Sequence, residues 1–354
     1  MLILKNNIIA ILIFSVVLAV SSCKTAEPQA PVIDPPEELL PGSRDYEWTV
    51  DTIALKDNYG MTPMRMWASS PSDVWSVGSA YSVVHMIWHY DGVKWKTDSV
   101  YRNVDPMAIW GDSKNSVWIG NLDGSFWHYN GGKLNLFCQT QIDSSRPFKV
   151  QWIDGSSAND IYAVGFADNL NGITYKAIIM HYNGLKWELV DIPYLLSSFS
   201  QIVYNPVGKN YIIKSWYFEK PGATLYSFDG KNLKNMYESK KNGGISMIGN
   251  RVYYNDGEDL YKYDDSTFRK ILSLKGTNYI GGAVGKSEKD FFTFNRDGIG
   301  HYNGTDLVTL WKKPEAQIWP SFTVNIQDDV FSVWQGFRTD TTYFVHGKLK
   351  KKGG

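Results

Sequence analysis

Four histidines recur in one setting: His89, His128, His181 and His301 each precede a tyrosine and then an Asp-Gly or Asn-Gly pair. Four aspartates recur in another: Asp73, Asp160, Asp290 and Asp329 each open a short alternating apolar run. Imidazoles and carboxylates ligate metals and move protons. A zinc site needs three or four ligands converging on one point, and a glycosidase needs two carboxylates within about 5–10 Å of each other. Groups held at the same place in successive copies of a repeat do not converge. The expectation is therefore no metal, with the histidines packing and hydrogen-bonding on their strands and the aspartates capping the turns before them. His85 and His346 stand outside the pattern and read as isolated. Acids that break the repeat, Glu219, Glu258 and Asp168, are the better catalytic candidates, but nothing in their spacing links them. No H-E-x-x-H, C-x-x-C, Walker, Rossmann or G-x-S-x-G signature occurs, so no catalytic residue and no cofactor is assigned.

The elements that must carry these residues are short strands. The stretch W-A-S-S-P-S-D-V-W-S-V-G over 67–78 is followed by I-W-H-Y-D-G-V-K-W over 87–95. The plan returns as D-I-Y-A-V-G and I-M-H-Y-N-G-L-K-W between Asp160 and Trp187. It returns again as N-S-V-W-I-G with S-F-W-H-Y-N-G, and as D-F-F-T-F-N with G-I-G-H-Y-N-G. Alternation of period two marks half-buried strands, and an Asp-Gly or Asn-Gly pair between such runs marks a hairpin. The pairs Asp91-Gly92, Asn130-Gly131, Asn183-Gly184, Asp229-Gly230 and Asn303-Gly304 are expected to form type I′ turns with positive φ at both central residues. Calcium at these turns is not expected, because single oxygens around the outside of a ring cannot surround one ion.

Repeats made only of strand and turn read as propeller blades. Seven units can be counted, starting near Pro63, Pro106, Phe148, Phe199, Gly244, Tyr279 and Phe322; the fourth and fifth are degraded. The seventh lacks a fourth strand, while E-W-T-V-D-T-I-A-L at 47–55 is a strand without a neighbour. The expected fold is an all-β, seven-bladed β-propeller over 45–354, closed by the N-terminal strand completing the last blade.

With 36 basic and 36 acidic side chains in 354 residues, there is no electrostatic case for nucleic acid. Residues 1–22 form a short apolar leader with Lys5 near its start and Val20-Ser21-Ser22 before Cys23, which reads as a secretory signal too short to span a bilayer comfortably. This leader resembles the lipobox of bacterial lipoproteins. The resemblance implies cleavage before Cys23, diacylation of its sulfur and acylation of its new amino group; several acyl chains hold a protein firmly on a bilayer. Residues 23–44, with five prolines, are expected to be a tether. If Cys23 is lipidated, Cys138 has no disulfide partner, and burial in a blade is expected for it.

The repeats resemble those of secreted bacterial β-propeller lipoproteins, common in Bacteroidetes-like anaerobes, and more distantly Asp-box and kelch-like propellers. Residues 67–95, 152–187 and 290–304 carry the likeness best, and 197–274 depart from it most. True Asp-boxes read S-x-D-x-G-x-x-W; this chain has Y-[DN]-G-x-x-W instead, without an evident arginine triad, so the resemblance does not extend to sialidase activity. It implies a monomeric protein of the bacterial cell envelope, lipid-anchored on the periplasmic or cell-surface side of the outer membrane. Recognition is expected on the variable links between second and third strands, with Tyr81, Tyr175, Trp216, Tyr217, Trp334 and Phe337 as candidate contacts for a glycan or an envelope protein. The competing expectation is a polysaccharide-acting hydrolase or lyase with its site in the central funnel.

Overall fold

The computed structural model describes residues 39–54, 61–80, 85–97, 100–102, 104–142, 146–168, 175–217, 221–264, 266–336 and 341–351. The leader, Cys23 and most of the proline-rich segment lie outside the described residues, as do Tyr81, Glu219 and Phe337.

Twenty-eight described strands form seven antiparallel sheets of four. The innermost strands are Met61–Ser70, Pro106–Ser113, Lys149–Ser157, Ser198–Asn205, Gly244–Ile248, Tyr279–Ser287 and Ile318–Ile326. Blades five and six are joined by one parallel bridge, Ile248 to Gly285. The seventh sheet runs Ile318–Ile326, Asp329–Gly336, Thr341–Leu349 and then Tyr46–Ala54. Trp48 lies opposite Gly347 and Val50 opposite Val345, so the first described strand is the outer strand of the last blade.

The core lies between blades. Each blade face packs on its neighbour, giving seven apolar clusters for seven interfaces. The cluster that seals the circle joins Met66, Val74, Trp88 and Trp95 of blade one to Phe331, Val333 and Phe344 of blade seven. Trp95 stacks on Phe344 with ring centroids 4.0 Å apart. Closure leaves no blade with an uncovered face, which is the physical reason this repeat forms a ring.

The recurrent hairpins differ from the expected type I′ geometry. Tyr90 pairs with Trp95, so the connection has four residues, and only its glycine is left-handed (Gly92, φ 89°). Asp91 keeps an ordinary φ; its Oδ1 instead accepts the N–H groups of Val93 and Lys94, both at 3.0 Å. Asn130, Asn183, Asp229 and Asn303 do the same before Gly131, Gly184, Gly230 and Gly304. The side chain thus bonds the turn that positive φ was expected to make.

The compact unit begins at Leu39. Gly42 donates its N–H to Lys289 O at 2.8 Å, and Arg44 bonds Asp306 through both its carboxylate and its carbonyl. Gly42 and Arg44, at the end of the segment expected to be a tether, are thus seated on blade six.

Candidate ligand-binding site in the axial cavity

The repeated aspartates and histidines meet each other. His89 Nε2 lies 2.6 Å from Asp73 Oδ1, His181 2.8 Å from Asp160, and His301 2.8 Å from Asp290. His346, expected to be isolated, is a further member of the series, 3.2 Å from Asp329. His128 uses Ser116 in place of an acid. Each imidazole lies against the aromatic two residues after its partner: Trp75, Trp118, Tyr162, Phe292 and Phe331. These are within-blade clamps. The aspartates bind an imidazole as well as the turn hydroxyls Ser69 and Ser156. Among the described residues, no three His, Cys, Asp or Glu side chains are grouped to hold a metal ion.

Of the six expected contact residues, four are described. Trp334 corrects the expectation outright: it is 0% exposed, packs against Trp311 between blades six and seven, and donates Nε1–H to Ser332 Oγ. Its place in the strand alternation puts it on the blade-to-blade face. Tyr175, Trp216 and Tyr217 are half-buried at strand ends. Tyr175 packs on Phe166, and the Tyr217 hydroxyl lies 3.4 Å from that of Tyr226. The aromatics that stand out in solvent are instead Tyr101 and Tyr194 on connectors between blades, Trp319 at the start of the seventh blade's innermost strand, and Phe137 on the outer strand of blade two. In a propeller these connectors share one face with the links between second and third strands. Asp168 is held by Lys149 at 2.8 Å. Cys138 is half-buried against the cluster between blades two and three, and burial pushes its thiol up to about 11.

The cavity of about 670 Å³ is axial, lined by the innermost strands of all seven blades. Its shape follows from a recurrent irregularity. In six blades the register between first and second strands slips by one residue near the start of the first strand, as between Pro63 and Arg65 or Val150 and Trp152. Such bulges turn the next side chain and increase local twist. The residues after the slip are Arg65, Ala108, Trp152, Gln201, Gly281 and Phe322, with Gly244 at the matching place in blade five. Three of them meet across the axis. The Arg65 guanidinium lies 4.3 Å from the Trp152 ring centroid and 5.8 Å from that of Phe322, while those two rings are 5.8 Å apart.

The cavity's charges are unusual. Lys214, 7% exposed, has no hydrogen bond or ion pair from its ammonium among the described residues. Burial, then repulsion from Arg65, pushes it down to about 8. Burial pushes Arg65 down to about 10; its Nη1 donates to Met64 O, and its Nε is sealed from solvent without a partner. Asp154 is the one carboxylate among the lining residues. Burial pushes it up to about 6 against bonds from the Tyr204 and Gly155 N–H groups, each at 2.8 Å. Both oxygens of that carboxylate thus already accept hydrogen bonds from backbone N–H groups, and the Trp110 side chain adds another.

No family model matches this chain. A solved structure of YCF48 bound to a D1 peptide superposes on it with a TM-score of 0.60 at 11% identity, covering 90% of this chain and 100% of that one. YCF48 from Cyanidioschyzon merolae gives 0.54 at 10% identity over 83% and 98%. Chaetomium thermophilum Raptor gives 0.55 at 7% identity over 85% of this chain and 30% of its own. At these identities the likeness is one of fold: the chain is a β-propeller of the broad class that contains these proteins.

Proposed function

We propose that this chain is a binding or scaffold propeller of the bacterial cell envelope, which takes a glycan or protein ligand on the connector face and in the axial cavity and performs no catalysis on it. One observation carries the reading. The cavity offers a single carboxylate among its described lining, and both of its oxygens already accept backbone N–H groups. Glycoside hydrolysis needs two carboxyl groups, one to donate a proton and one to attack or to activate water. The remaining polar lining is Ser, Thr, Asn and Gln with two cations, which suits recognition. Exposed Tyr101, Tyr194 and Trp319 supply an aromatic rim of the kind that grips sugars or peptides. That YCF48 has been solved with a peptide bound supports the use of this architecture as a receptor.

The same proposal takes the finer resemblance to secreted bacterial propeller lipoproteins as its source for anchoring. Cys23 would carry the acyl chains, and residues 24–38 would space the ring from the bilayer. Screening the purified protein against a glycan array and an envelope extract is expected to give retained ligand of unchanged mass. Shortening of a captured glycan would establish the hydrolase or lyase reading instead. Mass spectrometry of the cell-derived protein should find acyl chains on Cys23, and Cys23→Ser should leave the protein unlipidated; an unmodified Cys23 would remove the anchor.

A further inference from the structure

We propose that the axial cavity binds a sugar acid, a small polyhydroxylated carboxylate either free or at the end of a glycan, with its carboxylate held by Lys214 and Arg65. This rests on the binding reading above and narrows it.

The repeat itself singles out the two cations. Lys214 pairs with Gln201, and the matching second-strand positions hold Val77, Gly120, Val164, Asn255, Phe294 and Val333. Five of those six are apolar or glycine, so nothing in blade packing calls for an ammonium there. Arg65 stands where the other blades have Ala108, Trp152, Gln201, Gly244, Gly281 and Phe322. Gln201 is satisfied, its amide bonding Ile245 N–H and C=O. Lys214 and Arg65 are not: the Lys214 ammonium has no hydrogen-bond or ion-pair partner among the described residues, Arg65 Nε is buried without one, and the two cations repel each other. Desolvated cations without a counter-charge are costly, and an incoming anion removes that cost.

The geometry favours a carboxylate among anions. The Arg65 guanidinium lies over the Trp152 ring with Phe322 to the side, so the face toward Trp152 is covered and the hydrogen-bonding surface left is its edge. A guanidinium edge and one ammonium match two carboxylate oxygens. Phosphate sites commonly gather backbone N–H groups at a helix start or a glycine-rich nest, and no helix occurs among the described residues. The remainder of the ligand would meet Asn242 and Ser321, whose side chains make no hydrogen bond among the described residues, and Ser246, whose hydroxyl accepts from Asn255. Those partners call for hydroxyl groups. The cavity, about 670 Å³, is in the range of small-molecule sites.

The test is titration calorimetry on the purified mature protein in detergent. The probes are glucuronate, galacturonate, glucose, galactose, acetate, inorganic phosphate and a uronate-ended oligosaccharide. A uronate should bind at least tenfold tighter than its neutral sugar and than acetate or phosphate. The free acid and the oligosaccharide, compared directly, separate the two sources. Lys214→Met should weaken the acid at least tenfold without lowering the ligand-free melting temperature. Arg65→Gln gives a second charge-removing variant should the first fail to fold. Equal binding of acid and neutral sugar, tighter phosphate, or acid binding indifferent to both substitutions overturns the inference. If sugar acids do not bind while a neutral glycan or a protein is retained, this inference fails and the receptor reading stands. Cleavage of a bound glycan overturns the receptor reading itself.

Discussion

Trp48 lies directly opposite Gly347 across the seam that closes the ring, and its six-membered ring fills the space a Cβ on Gly347 would need. That added carbon would sit 2.6 Å from the indole. Gly347→Ala should therefore destabilise the protein by about 1–3 kcal/mol. Most of the loss should disappear when the substitution is made on Trp48→Ala. Urea melts of the two single variants and the double variant measure this coupling, and additive losses would show that the indole is not the obstacle.

The Asp73–His89 clamp predicts acid sensitivity. Burial alone would raise the Asp73 carboxyl, but hydrogen bonds from His89, Ser69 and Trp75 outweigh it and hold the group below the usual carboxylate range. A depressed acid contributes stability that is present above its unfolded value and is lost as pH falls through its folded value. Stability should thus drop below about pH 4, where a free aspartate begins to protonate. Asp73→Asn should blunt that drop, and Asp73→Ala should cost about 1–3 kcal/mol at neutral pH.

Lys214 and Asp154 predict slopes of opposite sign to each other in two other pH ranges. The folded state prefers neutral Lys214, held at about 8 against an ordinary 10.5. Its unfavourable charge is fully present below about pH 8 and is relieved as pH rises toward 10.5, a gain on the order of 3 kcal/mol. Lys214→Met should raise ligand-free stability at pH 7 and flatten that alkaline rise. Asp154, held at about 6 against 3.8, is favoured in its protonated form. Its contribution falls as pH rises from about 4 to about 6, and Asp154→Asn should remove that decline. Melts across pH for both variants check the two slopes.

Two tryptophans separate structure from recognition. Trp334→Ala opens a cavity at a fully buried site and should cost about 3–5 kcal/mol. Trp319, 58% exposed beside Lys313, should be replaceable by Ala within about 0.5 kcal/mol. Only Trp319→Ala should weaken ligand capture on the array without shifting the melting temperature.

The ring was legible because alternation and hairpin punctuation recur and because the strand at Glu47 lacked a neighbour. The degraded fourth and fifth blades still hold their places. Blade four substitutes Asn210 and Ser227 for the clamp, bonded at 2.6 Å, and blade five puts Lys262 where the histidine stood. The turn chemistry was read from the right residues with the wrong mechanism, since Asp and Asn act there through side-chain oxygens and not through left-handed backbone. Trp334 was misplaced because a run such as V-F-S-V-W does not say which of its faces meets the next blade. The two channel cations were missed for a different reason. Acids that break the repeat stand out by type, whereas Lys214 stands out only when N-Y-I-I-K-S is aligned with D-V-W-S-V-G, which sets it against Val77. No one-dimensional pattern, however, brings Arg65 of blade one against Trp152 and Phe322.

The seat of Gly42 and Arg44 on blade six has a mechanical consequence. A pull on the chain upstream of Leu39 reaches those bonds before it reaches the Tyr46–Ala54 strand. Three backbone-directed contacts and one ion pair act as a strain relief, yielding first under load and sparing the strand whose departure would unzip the circle.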